Sequence, residues 1–199
     1  MSDLLHGRLD TKSEARERYT EVQRRPLSAH EARVFMAEIR SSSCITGYSY
    51  REWTGRRDVF VTVDRASQRA VAAMLIHRLP GGVSELAVVF VLEEFRGFGL
   101  AKQLIRFGLR TMRGDGRTKI IFYSDDQMHL IVTAAGFTTY PSLADYCAYQ
   151  WSRRLYYTAM YKPLWLLNTY RIREMARKRR ELGSGFDFRI GVIERGEPQ

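Results

Sequence analysis

The chain has 199 residues, of which 45% are hydrophobic and 27% charged, and its formal net charge is +10. This size and composition predict one globular domain with a proper core and an appendage, and no apolar run reaches the roughly 18 residues of a membrane span. Two cysteines exclude a disulfide framework, and four scattered histidines show no metal-ligand spacing, so we expect no metal site. The start of the chain has no long apolar region behind basic residues, so we expect a cytoplasmic protein.

The first predicted elements are a strand at residues 19–23 and a capped helix. Ser28 is the predicted N-cap, and Glu31 three residues later completes a capping box. The helix presents one apolar side, formed by Ala32, Phe35, Met36 and Ile39. The aromatic residues of the following loop either form a wall around an acceptor substrate or anchor the loop, and both interpretations remain open; they are Tyr48, Tyr50 and Trp53.

Three further strands are predicted in the middle of the chain. Residues 57–63 and 69–77 are strand-like segments on either side of a turn, and a second turn at residues 80–82 leads into the next strand. Residues 86–92 are almost wholly apolar and rich in valine, which predicts a strand buried on both faces.

A glycine-containing turn joins this buried strand to an amphipathic helix. From Leu100 the apolar residues recur at helical spacing, with Leu104, Ile105, Leu109 and Met112 on the same face. Without β-carbons, Gly97 and Gly99 allow backbone N–H groups to turn toward a ligand at the helix N-terminus. The turn therefore predicts an anion site, although the two glycines also fit a purely structural βα turn.

The later elements are predicted from the same periodicities. Residues 119–124 read as a strand and residues 127–135 as a helix that stops at Gly136. Residues 145–153 alternate in the manner of a closing strand.

The turn carries the hexapeptide R-G-F-G-L-A, and neither a Walker loop nor G-x-G-x-x-G occurs. As an R-x-x-G-x-A sequence after a buried strand, it resembles the pyrophosphate-binding signature of the GNAT superfamily of acyl-CoA-dependent N-acyltransferases. The resemblance covers residues 19–155 in the expected order of elements. It implies an α/β (α+β) GNAT fold, a mixed and mostly antiparallel sheet flanked by helices, with an arm at residues 1–18 and a basic, aromatic, helical C-terminal extension at residues 156–199.

The resemblance also implies a site for acetyl-CoA or another acyl-CoA. Backbone N–H groups of the hexapeptide would bind the pyrophosphate, and Val91 would pair with the pantetheine arm; the hexapeptide residues are Arg96, Gly97, Phe98, Gly99, Leu100 and Ala101. In several relatives a glutamate at the position of Glu85 is the general base. A solvated carboxylate at a strand end is the competing interpretation of Glu85.

One departure from the family pattern concerns the general acid. Many relatives carry a tyrosine where this chain has Val132, and valine cannot donate a proton. Release of the thiolate would then rely on water or on a neighbour such as Tyr123 or Tyr140.

The extension contains most of the excess positive charge, since basic residues exceed acidic ones by seven over residues 153–181. Pro163 opens a predicted helix that Gly183 ends, with an apolar face of Leu164, Trp165, Ile172, Met175 and Ala176. Three interpretations remain open: docking on its own domain or a twin subunit, contact with nucleic acid, and contact with an anionic membrane. Residues 186–193 alternate like a strand that adds to a sheet edge, its own or a partner's.

The sequence therefore predicts an N-acyltransferase that transfers acetyl from acetyl-CoA to an amine, on a small molecule or a protein, by direct attack. The alternative is a catalytically inactive GNAT-fold binding or structural protein, which would act through its extension in a nucleoprotein or viral assembly.

Overall fold

The computed structural model describes residues 21–196. The predicted arm at residues 1–18 and the start of the predicted first strand lie outside the described residues.

The N-terminal part forms one short strand and two helices: β1 (Val22–Arg24), α1 (Ala29–Ser41) and α2 (Tyr50–Gly55). The predicted capping box is confirmed, because Glu31 N–H donates to Ser28 Oγ at 3.3 Å and Ser28 N–H donates to Glu31 Oε2 at 2.7 Å. Of the predicted apolar side, Ala32, Phe35 and Ile39 are buried.

Three antiparallel strands follow: β2 (Val59–Val63), β3 (Ala70–Leu79) and β4 (Val83–Val91). The short turn Pro80–Gly82 joins the last two, and Gly81 within it has φ +72°. The pairing between β3 and β4 shifts by one residue, since Leu75 pairs with Val88 but Ile76 pairs with Leu86. Ala87 is therefore the extra residue of a β-bulge in the middle of β4.

The next three elements are α3 (Leu100–Thr111), β5 (Thr118–Tyr123) and α4 (Asp126–Ala134). The predicted apolar face of α3 is confirmed, and it packs on the sheet. β5 pairs with β4 in parallel only from Val83↔Thr118 to Leu86↔Ile121. Beyond Leu86 the two strands separate, and a cleft opens between them.

The C-terminal part contains two strands and several helical segments: β6 (Thr138–Tyr140), α5 (Leu143–Cys147), α6 (Trp151–Tyr156), a π-helical turn (Tyr157–Tyr161), α7 (Lys162–Leu166), α8 (Thr169–Leu182) and β7 (Arg189–Ile193). The predicted closing strand at residues 145–153 is wrong, because this segment belongs to α5, α6 and the loop between them. Ser142 caps α5 by accepting from Asp145 N–H at 3.2 Å. Tyr149 and Trp151 are 98% and 80% exposed, so the alternation has no buried face to support a strand.

The closing strand of the sheet comes instead from the C-terminal extension. The seven strands have the order β1-β2-β3-β4-β5-β7-β6, and every neighbouring pair except β4–β5 is antiparallel. The strand predicted within residues 186–193 is confirmed, but it lies inside its own sheet rather than at an edge. Gly191 suits this position, since a Cβ there would lie 2.6 Å from Val132 Cγ1.

The long helix α8 docks on its own domain through a charged face. Its buried residues are Arg171, Glu174 and Lys178, whereas Ile172 of the predicted apolar face is 37% exposed. The predicted apolar face is therefore not the face that α8 buries, because the surface beneath this helix presents polar groups. Lys178 Nζ donates to three backbone carbonyls at the end of α1 and just after it, which belong to Ile39, Ser42 and Ile45. No helix within residues 21–196 has the length and apolar character needed to span a membrane.

Candidate active site

The cleft between the separated ends of β4 and β5 is the candidate site. Its volume is about 950 Å³, and β4 lines it continuously from Glu85 to Val91. The opposite wall comes from β5, the start of α4 and the C-terminal extension. Among residues 21–196, β4 has no partner strand on this side after Leu86, so its backbone there pairs with no neighbouring strand. The carbonyls of Ala87 and Val91 accept instead from Tyr48 Oη and Arg96 Nε.

The predicted phosphate turn has the conformation that an anion site needs. Gly97 and Gly99 have φ of +87° and +77°, and Gly99 is the N-cap of α3. Within residues 21–196, and apart from each glycine and its two chain neighbours, no heavy atom lies within 4 Å of the place where either glycine would carry a Cβ. The first N–H groups of α3 lack partners within the helix and lie at its positive end, so the turn fits a pyrophosphate.

The other predicted cofactor residues adjoin this turn. Arg96 Nε donates to the Val91 carbonyl at 3.3 Å, and both residues line the cleft. Phe98 is exposed, Leu100 is buried at the start of α3, and Ala101 is half-buried. The structure therefore brings Val91 and Arg96 together in the cleft wall, whereas residues 97–101 adjoin Arg96 without lining the cleft.

Glu85 lies in the cleft wall at the other end of β4. It is only 5% exposed, so the interpretation as a solvated strand-end carboxylate is wrong. Tyr161 Oη donates to Glu85 Oε1 at 3.0 Å, and His77 Nδ1 lies 3.5 Å from Glu85 Oε2. Burial opposes ionisation, but contacts with His77, Arg171 and Tyr161 outweigh it and lower the pKa of Glu85. The carboxylate is consequently ionised at neutral pH and able to accept a proton.

Three residues around Glu85 were not predicted as site residues: His77, Tyr161 and Arg171. His77 pairs directly with Glu85 across the β3–β4 hairpin. The three-residue turn at residues 80–82 fixes the register of this hairpin, so it is the sequence signal that could have predicted the pairing. Tyr161 and Arg171 come from the extension, and no local pattern relates them to β4.

The bulge at Ala87 faces the aromatic loop. Tyr48 Oη donates to the Ala87 carbonyl, and Tyr48 lines the cleft beside Glu85. Trp53 is fully buried in the core and anchors the loop, whereas Tyr50 is exposed. The two open interpretations of the loop therefore apply to different residues: Tyr48 forms part of the wall and Trp53 is the anchor.

The two predicted substitutes for the missing general acid differ in position. Val132 is fully buried in the core, as its side chain requires. Tyr123 lines the cleft, and its hydroxyl lies 2.9 Å from His129 Nδ1. Burial raises the pKa of Tyr123, so the hydroxyl keeps its proton at neutral pH. Tyr140 instead packs against Tyr146.

Within residues 21–196, no group of three His, Cys, Asp or Glu side chains is arranged to hold a metal ion. The site thus combines a split parallel strand pair, a bulged central strand and a glycine turn at a helix N-terminus.

Comparison with known proteins identifies the family. The chain matches the model of the acetyltransferase (GNAT) family over residues 16–137, and it belongs to that family. Among curated proteins no sequence matches it.

Two solved structures share the fold at low sequence identity. N-acetylglutamate synthase from Neisseria gonorrhoeae, complexed with coenzyme A and N-acetyl-glutamate, is 11% identical with a TM-score of 0.56. The match covers 89% of this chain and 35% of that one, so this chain spans about a third of the synthase. Rv2747 from Mycobacterium tuberculosis, in complex with CoA and NLQ, is 10% identical with a TM-score of 0.58, and the match covers 87% and 98% of the two chains.

Proposed function

We propose that this protein is an N-acyltransferase that transfers the acetyl group of acetyl-CoA to an amine by direct attack. The observation that carries the proposal is that a single cleft is lined both by Arg96 of the glycine turn and by the buried carboxylate Glu85. The first would hold the pyrophosphate, and the second would accept a proton from the amine. The coenzyme A in both solved relatives supports the assignment of the donor.

The proposed reaction follows from the positions along β4. The thioester lies near the bulge at Ala87, between the phosphate turn and Glu85. Glu85 accepts a proton from the ammonium, directly or through water, and the neutral amine nitrogen then attacks the thioester carbonyl. A C–N bond forms and the C–S bond breaks. The nitrogen loses its second proton to solvent, and the thiolate leaves with a proton from solvent or a neighbouring hydroxyl.

Tyr123 is the proposed source of that second proton. It lies across the cleft from β4, on β5, and its hydroxyl keeps its proton at neutral pH. The tyrosine contributed by α4 in many relatives is replaced here by a core valine, so β5 takes over the role.

The extension contributes to the site instead of forming a separate basic module. Tyr161 contacts Glu85, Arg171 and Trp165 line the cleft, and Arg177 forms ion pairs with Glu174 and Glu181 of its own helix. This use of the basic residues argues against an inactive protein that acts through a free basic tail. Two partner predictions stay predictions: contact of residues 153–181 with nucleic acid, and formation of a homo-oligomer.

Calorimetric titration with acetyl-CoA tests the proposal, with adenosine diphosphate as the control for general attraction of phosphate to a basic protein. We expect saturable 1:1 binding of acetyl-CoA that is at least tenfold tighter than that of the control. Release of free thiol should then depend on an added amine and should yield one N-acetylated product per thiol. Equal affinities for the two ligands would exclude the acyl-CoA site.

A further inference from the structure

Arg171 is a buried cation at the acceptor end of the cleft. It lies in the first turn of α8, where Asn168 caps the helix by accepting from Arg171 N–H at 3.1 Å. The residue is only 4% exposed, yet it lines the cleft together with Glu85, Tyr48 and Tyr161. Arginine is rarely buried unless its charge is paired.

The hydrogen-bonding capacity of this guanidinium is not used up within the protein. Among residues 21–196, its buried Nε has no hydrogen-bond partner. Its Nη2 lies 3.8 Å from Glu52 Oε1, which is too long for a hydrogen bond. Glu52 is already bound through its other oxygen, Oε2, which accepts from Ser49 N–H and Ser49 Oγ at 2.8 Å each. A structural ion pair with Glu52 therefore does not account for the donors of Arg171.

The surroundings keep Arg171 charged and hold its plane in place. Burial opposes the charge, but Tyr48, Glu85 and Glu52 outweigh it and raise the pKa of Arg171. The guanidinium lies over the Tyr48 ring, with Cζ 4.7 Å from the ring centroid. A planar, charged and fixed guanidinium with an unpartnered Nε matches a carboxylate, which can accept two parallel N–H bonds from arginine.

The position of Arg171 separates it from the phosphate end of the cleft. Its partner Tyr48 bonds to the Ala87 carbonyl, whereas Arg96 bonds to the Val91 carbonyl. Four residues of extended strand span about 13 Å, so the two arginines serve different parts of the bound molecules. The coenzyme phosphates belong at Arg96, and the anion at Arg171 belongs to the acceptor.

We propose that the acceptor is a carboxylate-bearing amine of the amino-acid class, with its carboxylate on the guanidinium of Arg171 and its amine at Glu85. This inference rests on the proposed N-acyltransferase function. The carboxylate of a zwitterion lies against the buried guanidinium of Arg171, and its ammonium lies against the buried carboxylate of Glu85. Each buried charge of the site thereby gains a partner of opposite charge from the acceptor. An amine without the carboxylate leaves buried Arg171 Nε without a hydrogen-bond partner, and this cost is the basis of selection against such amines.

The wild-type protein provides the first test. With acetyl-CoA saturating, the 20 free amino acids are compared with their α-amides and with the amines that lack the carboxyl group. We expect kcat/KM for the best amino acid to exceed that of its amide by about 100-fold, because the amide cannot complete the charged pair. An amide or a simple amine that is acetylated as fast as the amino acid would overturn the inference.

Variants of α8 locate the effect. Arg171→Gln should raise KM for the amino acid by about 100-fold and leave the Kd of acetyl-CoA unchanged. Its kcat/KM for the amide should fall much less, because the amide loses only the effect of Arg171 on Glu85. Arg171→Lys, which keeps the charge, should recover part of the loss and shows that the fold tolerates change here. The matched control is Arg173→Gln, an exposed arginine of the same helix, which should behave as wild type. Equal losses for amino acid and amide in Arg171→Gln would contradict a carboxylate role.

The outcomes separate the two proposals. If acetyl-CoA binds and only carboxylate-free amines are acetylated, the N-acyltransferase function stands and the carboxylate inference fails. If acetyl-CoA does not bind and no amine is acetylated, both fail.

Discussion

The glycine turn makes a prediction that separates loss of binding from loss of folding. Gly99→Val should abolish tight acetyl-CoA binding while Gly114→Val should not, and both should lower stability equally. The two glycines form a matched pair, since each has φ +77° and neither has an atom within 4 Å of the point where a Cβ would lie. Gly114 lies after the end of α3, whereas Gly99 caps its beginning.

The magnitudes follow from this geometry. A side chain at such a positive φ costs about 2 kcal/mol in either variant, which for a chain of this length lowers Tm by roughly 6 °C. At Gly99 the isopropyl group also occupies the space in front of the first N–H groups of α3. Losing two hydrogen bonds from backbone N–H to phosphate, at about 1.5 kcal/mol each, weakens binding by about 3 kcal/mol, or roughly 150-fold in Kd.

Calorimetric titration with acetyl-CoA and thermal unfolding of both variants measure the two effects. We expect the same Tm decrease in the two proteins and a Kd that changes only in Gly99→Val. The reasoning is refuted if the two variants bind acetyl-CoA with the same affinity.

Three further predictions concern Glu85, Glu31 and Gly191. Tyr161→Phe removes a donor to ionised Glu85, so the pKa of Glu85 should rise and the acid limb of kcat/KM should move up by about one pH unit; an unmoved limb would show that Tyr161 does not act on Glu85. Burial opposes the charge of Glu31, but Arg25 and the Ser28 cap lower its pKa to about 2. Ionised Glu31 therefore contributes folding stability that is fully present above about pH 4.5 and is lost as pH falls toward 2. Glu31→Gln should have a free energy of unfolding about 1 kcal/mol lower than wild type at pH 7, and this difference should disappear in acid. A difference in urea unfolding that does not change with pH would contradict the prediction. Gly191→Val should destabilise the fold by about 3 kcal/mol in the same assay, because its Cβ meets Val132 and Ile121, and unchanged stability would show that β7 does not lie inside the sheet.

Local sequence signals predict much of the fold. Ser28 and Glu31 are a capping box because both partners lie within one turn, and the apolar face of α3 follows from its helical period. The glycine turn was recognisable because the strand, the turn and the helix are contiguous in sequence.

The wrong predictions share a physical cause: the structure there depends on contacts between distant parts of the chain. Residues 145–153 alternate in hydrophobicity, but no neighbouring strand buries one of their faces, so the Ser142 cap and local helix formation prevail. In α8 the helical wheel selected apolar residues, whereas the surface beneath presents carbonyl groups that Lys178 satisfies. Hydrophobic periodicity predicts a buried face only when that face packs on an apolar surface.

The candidate site shows the same division. The position of Glu85 in β4 and the motif of the glycine turn predict these residues as site residues, and both stay predictions. Tyr161 bonds to Glu85 across 76 residues, and Arg171 reaches the cleft only because α8 folds back over it. A sequence pattern has no means of relating such residues before the chain is folded.

The role of Glu85 is the central claim, and comparing wild type with Glu85→Gln tests it most directly. Gln is isosteric and retains hydrogen-bonding groups for Tyr161 and His77, so the fold and the Kd of acetyl-CoA should be preserved. At pH 7 turnover with the best amine should fall by about 100-fold or more, and the difference should narrow at high pH, where the amine loses its proton unaided. Turnover within twofold of wild type from pH 6 to pH 9 would remove Glu85 from the mechanism.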